Sequence, residues 1–280
     1  MKNNTYVTKV WKTKAEKYDD YWNDPTIGGV FNEAADRGEY LYLEQYLNEQ
    51  GLIVDFEKCL NYLNKLKKCI KGNGAELASG IQWLTAYLIK RFGVQIDKFY
   101  SIDYSEKNIF NLGQRLLEYY KICKNKLILC LGSFYEIKLP NENLDFIIMS
   151  QAFHHADNPD KLLQEVHRVL KKDGFLIMIG ELFISKTRYF KCYLNYVISL
   201  IVSSKYFPYL LVNRFSIFKR LKLKKLIGSF QEIYFPPDPV LGDHYYLKSQ
   251  YEKFFSRNGF NFYRITSKKS NHLAYIIFKK

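Results

Sequence analysis

Apolar residues recur at two periods along this 280-residue chain, and the alternation between them sketches a fold. Phe56, Leu60, Leu63, Leu66 and Ile70 fall every three or four residues. Residues 55–70 therefore predict a core-packing helix, with Asp55 as its N-cap and lysines toward its end. A short strand then runs into the small-residue turn Glu76-Leu77-Ala78-Ser79-Gly80, a helix from Trp83 to Arg91 ends near Gly93, and a strand from Phe99 to Ile102 closes on Asp103. Ser105 opens a helix to about Tyr120 that carries Ile109, Leu112, Leu116 and Leu117 on one side. Leu127 to Leu131 reads as a strand, and Leu144 to Met149 is the continuous apolar run of a strand covered on both faces. A helix from Pro159 to Leu170 buries Leu162, Leu163, Val166 and Val169, and the turn Lys171-Lys172-Asp173-Gly174 leads into a strand from Phe175 to Ile179. Tyr251, Phe254 and Phe255 mark a helix from Lys248 to Asn258-Gly259. Phe260 to Thr266 and Leu273 to Phe278 then read as an antiparallel strand pair. This succession predicts an α/β fold with a doubly wound, mostly parallel sheet of seven strands, whose ligands sit beyond the carboxyl ends of the strands.

Two stretches lie outside that rhythm. Tyr18, Tyr21 and Trp22 follow the helix-like segment KTKAEK, and either pack on the domain edge or form a flap over a bound ligand. Residues 182–231 hold ten Lys and Arg with no Asp or Glu, interleaved with Tyr, Phe, Leu and Ile. They suit two or three helices inserted after the fifth strand as a lid over the substrate opening. The chain thus reads as one domain over 1–280: an N-terminal helical flap (1–54), a core (55–181), a basic aromatic lid (182–240), and a C-terminal helix and strand pair (241–280).

Composition narrows the setting. The formal charge of +14 points to an anionic partner without choosing among small molecules, nucleic acid and membrane surface. Five scattered cysteines form no CxxC pair, so neither a disulfide framework nor a zinc knuckle is expected. The first residues lack an apolar signal core and no run reaches the roughly 20 apolar residues of a spanning helix, which sets a cytoplasmic expectation.

Four blocks follow one another between residues 70 and 182: Glu76 to Gln82, SIDYS around Asp103, Gly132-Ser133-Phe134, and the run from Leu144 to Gly180 with its His154-His155 pair. Together they resemble a class I S-adenosylmethionine-dependent methyltransferase of the type-11 family. The family's acidic residue and spaced glycines correspond to Glu76, Ala78, Gly80 and Gln82, its second-strand acid to Asp103 in SIDYS, and its third-strand turn to Gly132-Ser133-Phe134. Its long signature appears as LDFIIMSQAFHHADNPDKLLQEVHRVLKKDGFLIMIG. The resemblance implies a Rossmann-like fold and S-adenosyl-L-methionine as cofactor. The backbone at Ala78, Ser79 and Gly80 would cradle its methionine part, with Glu76 beside it, and Asp103 would hold the ribose hydroxyls. Tyr104, Ser133 and Phe134 would border adenine, and Ser150 and Gln151 would line the floor near the sulfonium. In the flap reading, Tyr18 and Trp22, outside the matched stretch, would cover the cofactor. Ala78 and Gln82 stand where the family has glycines.

Methyl transfer to a hydroxyl needs alignment, exclusion of water and removal of a proton. His244, His155 and His154 are the candidate bases, because imidazole titrates near neutrality. His154 and His155 handle the proton or brace the loop. His244 lies in a polar turn where Asp243 could orient it, and is the favoured base. Asp243, Tyr245, Arg188 and Arg214 are the candidate acceptor-binding residues. No cluster shows metal-ligand spacing. The expected function is methyl transfer to an oxygen of a small, anionic polar acceptor, a sugar or a phosphorylated or nucleotide-linked sugar of surface polysaccharide synthesis. The alternatives are a lipid or quinone methyltransferase held at the inner membrane face through residues 186–228, or a non-catalytic cofactor-binding relative. Nucleic acid is not expected as a partner, because no RNA-binding module is visible.

Overall fold

The computed structural model describes residues 6–11, 30–203, 230, 235–238, 242–265 and 272–280. Strands β1 (Val7–Val10), β2 (Gly72–Leu77), β3 (Ile96–Asp103), β4 (Leu127–Leu131), β5 (Leu144–Ser150), β6 (Leu170–Glu181), β7 (Phe260–Ile265) and β8 (Leu273–Lys279) form one sheet. Their order is β1-β4-β3-β2-β5-β6-β8-β7. The first six run parallel, and β8 is antiparallel to both β6 and β7. The doubly wound sheet is present as expected, with β1 as an eighth strand. Residues 7–10 are thus extended at the sheet edge rather than helical, and all four are exposed.

The helices are α1 (Val30–Asp36), α2 (Tyr40–Glu49), α3 (Leu52–Lys65), α4 (Trp83–Phe92), α5 (Gly113–Tyr119), α6 (Pro159–Val169), α7 (Lys186–Ser203) and α8 (Lys248–Arg257). Helices α1 to α5 cover one face, where Leu43, Phe56, Leu84 and Leu116 meet Phe146 and Ile148 of β5. Helices α6 and α8 cover the other, where Leu163, Val166, Tyr251 and Phe255 meet Ile147 and Met149. Alternate residues of one strand thus feed two cores, which is why β5 reads as an unbroken apolar run. Each fully buried Leu or Val on α6 contributes about 1.5–3 kcal/mol.

Three local expectations are corrected. Asp55 is not a cap: α3 starts at Leu52 behind Gly51, whose φ of 76° only glycine adopts without strain, and Asp55 is buried in the first turn. Lys171 to Gly174 do not form a turn, because α6 ends at Val169 and β6 begins at Leu170, beside Leu144. The helix after Ser105 is not regular: Asn108–Leu112 is a π turn, with Ser105 Oγ accepting from Asn108 N at 3.2 Å.

Asn73-Gly74 would ordinarily signal a turn, yet it lies inside the central strand. The Phe146 ring occupies the space a Gly74 side chain would take. Phe99, Phe146, Phe175 and Phe278 continue as an aromatic row across the sheet, with centroids 6.0, 6.1 and 6.3 Å apart. From β2 the chain winds one way through β3 and β4, then returns to the other side of β2 as β5 and β6. The reversal opens a crevice at the carboxyl ends of β2 and β5.

Candidate active site

Three residues of the loop leaving β2 adopt left-handed backbone: Ala78 (φ 52°), Gly80 (φ 52°) and Gln82 (φ 66°). This winds the chain tightly into α4 and directs backbone N–H groups inward. Gly80 N donates to Asp103 Oδ2 at 2.6 Å, while Asp103 Oδ1 accepts from Ser105 N at 2.8 Å and Asn108 Nδ2 at 3.4 Å. The Asp103 carbonyl accepts from Gly132 N at 2.9 Å. One residue at the end of β3 therefore ties together the loops after β2, β3 and β4. Burial holds its carboxyl above the ordinary range against those donors. Gln82, whose amide is buried, lies on Gly113 after the π turn, where a Cβ would meet Gln82 Nε2 at 2.3 Å.

Glu76, on β2, is also buried. Burial pushes its carboxyl up to about 8, despite a bond from Thr85 Oγ1 at 2.5 Å. Ser79 Oγ and Ser150 Oγ are buried at the cleft without a hydrogen-bond partner among the described residues. A Cβ on Gly80 would meet open space.

At the other end of the cleft, the 3-10 turn Phe153–His155 follows β5. Glu181, ending β6, takes the N–H groups of Ala152, Phe153 and His154 at 3.1, 3.1 and 3.0 Å, and His154 Nδ1 at 2.8 Å. Burial opposes the charged imidazole, but Glu181 and Asp243 outweigh it and hold the His154 pKa above its ordinary value. Burial likewise opposes the Glu181 carboxylate, and His154 with the backbone N–H groups keeps it below its ordinary value. A strap over 242–247 crosses this turn, with His244 N donating to His154 O at 2.7 Å. It brings Asp243 Oδ1 to 2.9 Å from His155 Nδ1 and 3.8 Å from His154 Nε2. The imidazoles beside it hold the Asp243 carboxyl below its ordinary value although burial works the other way.

These groups line one cleft of about 640 Å³, a volume in the range of small-molecule sites. Of the expected residues, Glu76, Ala78, Ser79, Gly80, Asp103, Tyr104, Ser133, Phe134, Ser150, Gln151, His154, His155 and Asp243 are brought together there. Others are not. His244, the favoured base, is outside the lining, its Nε2 bonded to Asp157 Oδ1 at 2.9 Å and its ring stacked on Tyr246. Its partner is thus Asp157, and Asp243 serves His155. Tyr245 packs on a small aromatic cluster with Tyr196, Phe230 and Phe235, and Arg188 is exposed on α7 outside the lining. Tyr18, Trp22 and Arg214 lie outside the described residues. Sequence reasoning missed Phe31 and Asn32 of α1, Trp83 and Lys161 in the lining, and Glu181 behind it. An acid ending the apolar run of β6 was the one visible hint of Glu181.

Comparison with known proteins follows the same lines. Residues 75–178 match the family model described as a methyltransferase domain, type 11. No protein with a curated description matches the chain. Among solved structures, a candidate methyltransferase from Haloferax volcanii, in complex with the Trm112 methyltransferase activator, is similar at a TM-score of 0.53 and 13% identity, covering 90% of this chain and 99% of that one. A candidate S-adenosyl-L-methionine-dependent methyltransferase from Methanococcus maripaludis gives 0.51 and 13%, covering 96% and 97%. The YcgJ protein of Bacillus subtilis gives 0.51 and 11%, covering 79% and 97%. At such identities these likenesses speak for the fold.

Proposed function

We propose that this chain, whose residues 75–178 form a class I S-adenosylmethionine-dependent methyltransferase domain of the type-11 family, transfers the methyl group to a hydroxyl oxygen of a small polar acceptor. The observation that carries the proposal is that the His155–Asp243 pair and the Gly80–Asp103 cradle open on the same cleft. The cradle fits the cofactor: it offers two buried carboxyl groups, unpartnered serine hydroxyls and open space over Gly80 to a ligand with an ammonium, a sulfonium and a ribose diol. Bound, that cofactor supplies an activated methyl carbon.

The protein's part is placement and proton handling. Glu76 would hold the ammonium, the remaining lone pairs of Asp103 would accept the ribose hydroxyls, and Tyr104 and Phe134 would hold the adenine. Ser150 and Gln151 form the floor, and His154, His155 and Asp243 mark the corner where the acceptor's proton departs. Lys161 at the cleft rim favours an acceptor carrying phosphate, which keeps phosphorylated and nucleotide-linked sugars as the leading class.

The test is transfer of labelled methyl to such sugars. His155→Ala should lower kcat by about 100-fold or more, the scale of general acid–base assistance, with cofactor affinity within about threefold. Unchanged turnover removes the corner from the chemistry, and labelling of another acceptor class instead overturns the sugar assignment. A second reading, contact with an anionic membrane surface, is favoured by Phe190, Leu194 and Ile198, exposed at 64, 48 and 47% along α7 among Lys186, Arg188 and Lys191.

A further inference from the structure

We infer that His154, His155 and Asp243 form a binding site for a divalent transition-metal cation at the acceptor end of the cleft, an inference that rests on reading this corner as the place where the acceptor's proton departs. Two imidazoles and one carboxylate place one donor atom each within 4.8 Å of one another. Asp243 Oδ1 is 2.9 Å from His155 Nδ1 and 3.8 Å from His154 Nε2. Donors around a cation at about 2.0–2.2 Å lie about 3–3.5 Å apart, so small adjustments suffice.

The surroundings are those of a metal site rather than of a chance contact. His154 Nδ1 lies 2.8 Å from Glu181 Oε2, and in the tautomer that donates its proton there Nε2 is left to take a cation on the side of Asp243, the arrangement in which a carboxylate orients a metal-bound histidine. Glu181 also pins the turn through three backbone N–H groups, and the bond from His244 N to His154 O fixes the strap that carries Asp243. The donors do not wait on folding of a loose loop. Mixed nitrogen and oxygen donors suit zinc, cobalt or iron(II) better than magnesium or calcium.

All three donors line the cleft, and three protein ligands leave a coordination position open, as in catalytic sites and unlike closed structural ones. A hydroxyl oxygen in that position gives its proton to water more readily. As the new O–C bond to the methyl carbon forms, the C–S bond breaks with its electron pair moving to sulfur, and a neutral thioether leaves. No oxidant or reductant takes part.

The experiment uses the full chain carrying Cys69→Ser and Cys123→Ser, which removes the two exposed thiols as competing ligands. Co²⁺ is titrated in and followed by visible absorption, with metal content measured after dialysis. One Co²⁺ per chain is expected. Affinity should fall by more than about 100-fold in Asp243→Asn and in His155→Gln, beyond what loss of an outer-shell partner costs. Asp243→Asn keeps the side-chain shape and His155→Gln keeps a polar side chain of similar length, and far-UV circular dichroism verifies the fold of each. Failure of the folded parent to retain Co²⁺, or binding of Co²⁺ by the variants as tight as the parent's, overturns the site. Calorimetric binding of S-adenosylhomocysteine to the same preparations separates the two claims. Retained nucleoside binding without Co²⁺ sinks the metal site alone, and Co²⁺ binding without nucleoside binding sinks the methyltransferase reading.

Discussion

Ala78 and Gln82 look alike as replacements for glycine, and the structure separates them. Both have left-handed backbone, which costs a residue with a Cβ about 1 kcal/mol or more. Ala78→Gly should raise stability by about 0.5–1 kcal/mol, because relief of strain exceeds the added freedom of the unfolded chain; calorimetry would show a higher Tm. Gln82→Gly should not, since its side chain fills the space over Gly113 and would leave a cavity. Glu76 makes a pH prediction. With a carboxyl at about 8 in the folded state against 4.5 ordinarily, the folded chain holds the extra proton between those values. Its contribution to stability is therefore full below about 4.5 and is lost as pH rises to about 8. A cationic ligand at Glu76 expels that proton, so cofactor affinity should rise between pH 6 and 8, by up to about tenfold per unit for one released proton. Calorimetry in buffers of different ionisation enthalpy would register the release, and Glu76→Gln should flatten the profile.

Arg168 of α6 shows how a helix positions a loop it does not belong to. Its guanidinium donates to Glu165 Oε1 and Oε2, to the carbonyls of Ile137 and Leu139, and to Asn141 Oδ1, while Glu165 Oε1 also accepts from Ile137 N at 2.6 Å. A lysine cannot reproduce that fork. Arg168→Lys should cost about 1–2 kcal/mol, held down by partial exposure, and weaken cofactor affinity several-fold by loosening the loop of Ser133 and Phe134. Denaturant titration and calorimetry would measure both. The elements themselves were largely legible from the chain: β2 to β6 and α3 to α6 each bury a face whose period survives in the sequence. Val7–Val10 was not, because all four residues are exposed and β4 alone decides their pairing. The cofactor loop was legible through small residues at fixed spacing. The cluster around His154 was only half so: His154 and His155 stood out, but Asp243 and Glu181 reach them through the fold, and Asp243 was matched to the wrong histidine for that reason.

At the scale of the molecule, the cleft differs in charge from the chain as a whole. The chain carries +14, yet Glu76, Asp103, Asp157 and Asp243 line the cleft beside Lys161, so the site suits a cationic cofactor. Among the described residues no helix is long and apolar enough to cross a membrane, but the apolar stripe and lysines of α7 predict surface contact. Vesicles containing anionic lipid should carry the chain in flotation, less so at high salt, and Phe190→Ser with Leu194→Ser should abolish it; equal recovery with neutral vesicles would defeat the idea. The strap over 242–247 joins the turn of His154 and His155 through a few contacts, whereas the loops tied together by Asp103 all lie within residues 76–134. On the proposed reading, the Asp103 loops and the strap are written in separate stretches of the gene, so that changes in the strap would recruit a new acceptor while the Asp103 loops are inherited intact.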